Sequence, residues 1–149
     1  MALSDKAYLQ INQALFSLTQ AYESRMAGEE MRNTLGLKLS DCSVLMVMGQ
    51  FAPLNARQLS ELMDINPGTI SVYVQRLVEM GLVQKKQSTE DRRQWWLTLT
   101  DVGQMAAQGI TAGAVDYTRD FVAALDEDEQ ETLHRLLLKA SRSLGFDWL

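Results

Sequence analysis

Two adjacent arginines, Arg92 and Arg93, directly follow an aspartate, Asp91, within the polar segment 88–93. The segments 82–87 and 94–100 on either side are rich in leucine, valine, threonine and tryptophan, which favours two strands. Together they predict a β-hairpin with an exposed cationic tip. Guanidinium groups bind phosphate oxygens strongly, so such a tip suits a DNA groove.

Other residue types that carry chemistry are sparse. The chain has one histidine, His134, and one cysteine, Cys42, and it has no glycine-rich phosphate loop. Enzymatic activity, a metal site and a cofactor are therefore not expected. Cys42 is better explained as an inert buried thiol than as an oxidation sensor. The acidic run 126–129 is better explained as the start of a helix, where acidic groups favour the positive end of the dipole, than as a metal site.

Composition places the chain among soluble globular proteins. It has 149 residues, of which 46% are hydrophobic, and no apolar run reaches the length of a membrane span. A lone cysteine fits a reducing compartment, so a cytoplasmic location without a membrane partner is expected. The net charge is −5, yet residues 54–100 carry 6 basic and 5 acidic side chains, whereas residues 101–149 carry 4 and 9. The middle of the chain is therefore the part suited to phosphate groups.

Periodicity in the first half predicts four helices. The first runs from Leu3 to about Met26, and a second, capped by Ser40, continues to Gln50 before Pro53. Asn55 caps a short third helix, and residues 64–66 form a tight turn. The fourth helix extends from Pro67 to Met80, with Asn66 as its cap and Gly81 as its left-handed end.

The fourth helix has two faces. Ile70, Val74 and Leu77 recur at the spacing of a buried face. The opposite face carries small and hydrogen-bonding groups, which allow close approach to base edges and phosphates. Without the hairpin, an ordinary solvated face would be an equally good explanation. The candidate DNA-contacting residues of this segment are Asn66, Gly68, Thr69, Ser71, Val72, Tyr73, Gln75 and Arg76.

Two further helices are predicted in the last third of the chain, from Thr100 to about Ala124 and from Leu125 onwards. With the long first helix, they carry more apolar surface than a short helix-turn-helix unit can cover. This surplus predicts burial against a second copy of the chain. Two symmetry-related helices one turn of duplex apart would also engage two half-sites at once.

The order of these segments resembles the winged helix-turn-helix of the MarR family of transcriptional regulators. The resemblance rests on an ordered series with family spacing. It consists of Leu54-Asn55, Leu59-Ser60, Ile65-Asn66, Ile70-Ser71, Val74, Leu77, Gly81-Leu82-Val83, Asp91-Arg92-Arg93, Leu99-Thr100 and Gly103. It implies a mainly α fold with a small β-hairpin wing, an α+β winged helix-turn-helix with N- and C-terminal dimerisation helices. Residues 1–149 would form a single domain, with dimerisation helices in 1–36 and 101–149 and a DNA-binding lobe in 37–100.

The resemblance also implies roles for individual residues. Arg93 matches the wing-tip arginine that enters the minor groove, where a narrow A·T-rich groove has strongly negative potential. Lys85 and Arg92 are further DNA-contacting candidates, and Asp91 would orient Arg93 by a charge-assisted hydrogen bond. The chain departs from the family at Val72 and Tyr73, where basic or polar residues are common, and at Asp64, where glycine is frequent.

The family resemblance further implies a pocket for a small aromatic effector, for which we consider Tyr22, Met26, Met46 and Trp96. Of the two adjacent tryptophans, the family register predicts that Trp95 is buried, and ordinary wing packing is favoured for Trp96 over contact with DNA or a ligand. The expected function is that of a ligand-responsive repressor, a homodimer on a palindromic double-stranded DNA operator. The alternative is a winged-helix module that binds protein without binding DNA.

Overall fold

The computed structural model describes residues 2–25 and 33–146. The fold is mainly α with one small antiparallel hairpin, as predicted. None of the described helices combines the length and apolar character needed to cross a membrane. In chain order the elements are α1 (Asp5–Arg25), α2 (Leu39–Phe51), α3 (Ala56–Met63), α4 (Pro67–Glu79), β1 (Val83–Gln87), β2 (Trp95–Leu99), α5 (Asp101–Val122) and α6 (Glu127–Ser143).

Side-chain caps set the starts of three helices. Asn55, Asn66 and Thr100 each accept a hydrogen bond, at 2.8, 2.9 and 3.0 Å, from the backbone N–H three residues further on. Each cap satisfies one of the free N–H groups of a first helical turn. The turn between α3 and α4 places Asp64 at a φ of 51°, in the left-handed region that aspartate tolerates. Gly81 ends α4 with a φ of 72°. These predicted boundaries are confirmed.

The predicted cap of α2 is wrong. The helix begins at Leu39, one residue before Ser40, and its N-cap residue is Lys38. The reason is Asp41, whose carboxylate accepts a hydrogen bond of 2.7 Å from the backbone N–H of Lys38. An acidic residue at the third helical position thus fixes the start of this helix.

The hydrophobic core lies entirely in the middle of the chain. Every buried apolar residue of the described ranges falls between Leu37 and Ile110, and neither α1 nor α6 contains a buried residue. The core is formed by Leu37, Cys42, Val44, Leu45, Val47, Met48, Leu54, Leu59, Ile70, Val74, Leu77, Leu82, Val83, Leu97, Ala106, Ala107 and Ile110. We call the compact unit formed by α2–α4, the hairpin and the first half of α5 the winged-helix lobe.

The hairpin is attached to the rest of this lobe through β2. In its register Val83 pairs with Leu99 and Gln87 with Trp95. Leu54, before α3, exchanges two backbone hydrogen bonds with Leu97 of β2, at 3.2 and 2.7 Å. These contacts hold the base of the hairpin firmly and leave its tip in solvent.

A close approach between the hairpin and α5 requires glycine. A Cβ atom at Gly103 would overlap the backbone carbonyl of Leu82. The same carbonyl accepts a hydrogen bond of 3.1 Å from the N–H of Thr100, the cap of α5. Gly103 therefore allows the long α5 to start directly beside the hairpin.

Candidate nucleic-acid interface

The tip of the hairpin has a well-defined backbone and free cationic side chains. The hydroxyl oxygen of Ser88 accepts hydrogen bonds from the N–H groups of Glu90 and Asp91, both at 3.3 Å. The N–H of Ser88 donates to the carbonyl of Gln94 at 2.9 Å and closes the loop. Arg92 and Arg93 are exposed, and neither guanidinium group bonds to another residue within the ranges 2–25 and 33–146. Both are free to bind an anion.

Asp91 acts on the backbone rather than on a guanidinium group. One of its carboxylate oxygens accepts a hydrogen bond of 2.9 Å from the N–H of Arg93, and its carbonyl accepts one of 2.9 Å from the N–H of Gln94. The carboxylate of Asp91 thus bonds Arg93, as expected, but through the backbone N–H and not through the guanidinium group. Aspartate at this position forms a local turn with the N–H two residues on, which a long flexible arginine side chain does not displace. Asp91 still positions Arg93, but by shaping the loop.

The exposed face of α4 is narrower than predicted. Gly68, Ser71, Val72 and Gln75 are exposed and recur at the spacing of one helical face. Asn66 is also exposed, at the N-cap, whereas Thr69 is half-buried. The remaining two candidates of this helix, Tyr73 and Arg76, lie towards α2.

Arg76 belongs to an ion pair that links α4 to α2. Its Nε donates to a carboxylate oxygen of Asp41 at 3.0 Å, and its Nη2 donates to the carbonyl of Gly36 at 3.0 Å. The Asp41 side chain is fully buried, whereas the Arg76 side chain is 37% exposed. The only cation of α4 is thus bound to a buried carboxylate on the side of the helix that faces α2, so Arg76 lies beside the exposed row and not within it.

A polar contact joins α4 to the hairpin. The Nζ of Lys85 on β1 donates to the side-chain oxygen of Gln75 at 3.3 Å. Lys85, Ser71 and Val74 also line a small groove between the two elements, together with Trp95. The candidate residues of α4 and of the wing thus meet on one surface. Sequence patterns missed this contact, since no local signal pairs a residue of a helix with one ten positions later on a strand.

The predicted burial of Trp95 is wrong. Trp95 is 48% exposed, and Trp96 is half-buried. Alternation does put Trp95 on the same face as the buried Leu97, but it lies at the tip end of β2, beyond the helices that cover Leu97. Its ring therefore lies in the groove beside α4.

A cavity of about 880 Å³ lies on the lobe beside α2, α3 and α5, and Tyr22 of α1 also lines it. Of the predicted pocket residues, Tyr22 and Met46 line it, Trp96 does not, and Met26 lies outside the described residues. Trp96 pairs with Lys86 and, by alternation, faces away from Leu97 and the helices. The other residues that line the cavity include Ser43, Leu62, Tyr73, Gln108 and Phe146.

Tyr22 is the aromatic group through which α1 reaches the lobe. Its ring meets that of Tyr117 edge to face, with ring centres 5.6 Å apart. Burial raises the pKa of the Tyr22 phenol, and the neighbouring Cys42 and Tyr117 raise it further. At neutral pH the phenol is therefore a hydrogen-bond donor at the wall of the cavity. The thiol of Cys42 is buried, and within the described residues no group of three acidic, cysteine or histidine side chains could hold a metal ion.

Comparisons with known proteins agree with this architecture. Residues 35–94 match the model of the MarR family. The chain is 23% identical over 147 residues to the HTH-type transcriptional repressor MdtR of Bacillus subtilis, covering 99% of this chain and 94% of that protein.

Solved structures of the family have the same fold. A MarR protein from Peptoclostridium difficile superposes with a TM-score of 0.83 at 22% identity, covering 99% of this chain and 95% of that one. A mutant MarR from E. coli, solved in complex with operator DNA, gives a TM-score of 0.76 at 19% identity, covering 93% and 99%. The fold is that of a MarR-type winged helix, and the segment 35–94, which carries α4 and the arginines of the wing, belongs to the MarR family.

Proposed function

We propose that this chain is a sequence-specific DNA-binding transcriptional regulator, a repressor that acts in the cytoplasm as a homodimer on a palindromic operator. The observation that carries the proposal is the pair of free guanidinium groups at Arg92 and Arg93, on a loop whose backbone is fixed by Ser88 and Asp91. A free guanidinium group on a fixed loop is suited to the negative potential of a narrow minor groove. The exposed row of α4 is suited to the neighbouring major groove.

Charge supports DNA as the partner of this surface. Lys85, Lys86, Arg92 and Arg93 are all exposed around the hairpin, where the acidic residues are Glu90 and Asp91. The backbone N–H of Arg93 engages the Asp91 carboxylate, which limits repulsion of phosphate. The MarR structure solved with operator DNA has the same fold. A net acidic chain can thus present a locally cationic surface to a duplex.

Homodimer formation is supported by the terminal helices. Seven apolar side chains lie exposed on or beside α1, and α6 buries none of its residues. A single protomer would leave these groups in water, whereas a second copy would remove them from it. The exposed apolar residues of the three terminal elements include Leu3, Tyr8, Leu9, Ile11, Leu15, Phe16, Leu18, Val115, Phe121, Leu136 and Leu137.

The cavity beside Tyr22 and Met46 supports a response to a small aromatic effector. It lies where α1 and α5 meet the lobe, so a bound molecule would bias the orientation of α4 relative to the terminal helices. Titration with benzoate and with phenol during DNA binding tests this. Unchanged affinity for DNA with both compounds would count against the effector and leave DNA binding itself unaffected.

The central test is DNA binding by the intact chain and by Arg93→Ala. Fluorescence anisotropy with an A·T-rich duplex at two salt concentrations measures both proteins. Arg93→Ala should bind about tenfold more weakly than the intact chain, and the slope of its log affinity against log salt concentration should be smaller by about one. Arg119→Ala is the matched control, because Arg119 is an exposed arginine of α5 in a surface pair with Asp116. If the unmodified chain binds no duplex at either salt concentration, the proposal fails. A winged-helix module that binds protein is then favoured.

A further inference from the structure

An exposed valine stands out on the surface that we assign to DNA. Val72 is 66% exposed and lies at the centre of the exposed row of α4, next to Ser71 and one turn before Gln75. A β-branched residue on an exposed helical face adds nothing to helix stability, since valine is a poorer helix former than alanine. The folded lobe therefore does not require this side chain.

The two polar side chains of the exposed row of α4, Ser71 and Gln75, are already engaged within the protein. The Ser71 hydroxyl donates to the carbonyl of Pro67 at 2.9 Å. The Gln75 amide is bonded at both ends, since its oxygen accepts from Lys85 and its nitrogen donates to Glu79 at 3.0 Å. To donate its proton to a base, the Ser71 hydroxyl must first give up its bond to Pro67, and the Gln75 amide is held in place by its two bonds. Val72 has no such bond to lose.

We infer that Val72 determines part of the sequence specificity by packing its methyl groups against the C5-methyl group of a thymine in the major groove. The inference rests on the proposed function and specifies how α4 reads its site. Thymine is the base that presents a methyl group at the major-groove edge, and apolar side chains recognise it by contact. Removing both groups from water is favourable without any rearrangement of Ser71 or Gln75.

The test is a double-mutant cycle of binding affinities, which combines removal of the thymine methyl group with removal of the valine side chain. Duplexes that the intact chain binds are selected from a random pool, and each thymine of the selected sequence is replaced singly by deoxyuridine, which lacks only the methyl group. The intact chain should lose about three- to fivefold in affinity at one thymine of each half-site, the effect of one buried methyl group. Val72→Ala should bind the thymine and uridine duplexes equally at that position.

A second substitution separates the methyl group from the rest of the base. At the same position, a 5-methylcytosine–guanine pair should bind the intact chain more tightly than a cytosine–guanine pair by a similar factor, and Val72→Ala should abolish that difference. Val102→Ala, at an exposed valine at the start of α5, is the control and should keep both preferences. Two results would overturn the inference alone: no thymine whose methyl group matters, or an equal methyl effect in the intact chain and in Val72→Ala. A chain that selects no duplex would overturn the proposed function and this inference together.

Discussion

The winged-helix lobe buries its apolar residues within one protomer, whereas α1 and α6 leave theirs exposed. The lobe has a continuous core from Leu37 to Ile110, whereas α1 and α6 have none. Helical pattern alone is therefore not what distinguishes a self-sufficient unit, because α1 and α6 are as regular as the helices of the lobe. What distinguishes it is whether other elements of the same chain cover the apolar face. The lobe can position a site by itself, whereas α1 and α6 leave their apolar residues exposed in a single protomer.

Truncating one leucine in each region should separate them most strongly. Leu45→Ala, in the core of the lobe, should lower the free energy of unfolding by about 2–5 kcal/mol, because it leaves a cavity. Leu15→Ala, on the exposed face of α1, should lower it by an amount that depends on protein concentration, since its effect acts through association. Urea denaturation at two protein concentrations measures both. A concentration-independent loss for Leu15→Ala would contradict the distinction.

A partly buried ion pair and an exposed one provide a second comparison. Arg76→Ala leaves the buried carboxylate of Asp41 without its cation and should destabilise the protein by about 3 kcal/mol. Arg57→Ala removes a pair with Glu61 whose side chains are 85% and 64% exposed, and it should cost less than about 0.5 kcal/mol. Chemical denaturation at neutral pH compares them. Equal losses would show that Arg76 does not stabilise the lobe through Asp41.

The smallest effect on folding stability is expected at Tyr22, where α1 meets the lobe. The pKa of this phenol is raised in the folded state, first by burial and then by Cys42 and Tyr117. Below about pH 10 the phenol is protonated in both states and adds no pH dependence. Above that pH the unfolded chain releases the proton first, so the folded state loses stability as the pH rises towards the folded pKa.

Tyr22→Phe removes this ionisation. The variant should therefore lose stability less steeply than the parent above pH 10, and the two profiles should run parallel below pH 9. Thermal unfolding across this pH range measures the slopes. Parallel profiles at every pH would show that the Tyr22 phenol is equally accessible in both states.

Local chemistry made part of this fold predictable. The caps Asn55, Asn66 and Thr100, and the left-handed residues Asp64 and Gly81, act through bonds within a few residues, and each is where the sequence indicates. The wing was predictable for the same reason, because its strands are neighbours in sequence.

Most of the wrong predictions concern residues whose burial or bonding partners lie far away in the sequence. Asp41 binds Arg76 across 35 positions, which turns Arg76 towards α2. The wrong cap at Ser40 has a local cause, because Asp41 bonds the backbone N–H of Lys38 three residues earlier. The family register assigned Trp95 to the face of Leu97, which is correct. Whether Trp95 is buried there depends on which helices cover that end of β2. Asp41, the only charged residue of α2, was the available signal for the buried ion pair.

The central expectation is that two copies of the chain, joined by their terminal helices, bind one duplex together. Sedimentation velocity with and without a selected duplex tests this in one experiment. The free chain should have twice the protomer mass of 16.8 kDa, and the complex should contain two protomers per duplex. A free chain of 16.8 kDa that binds DNA as a single protomer would contradict the account.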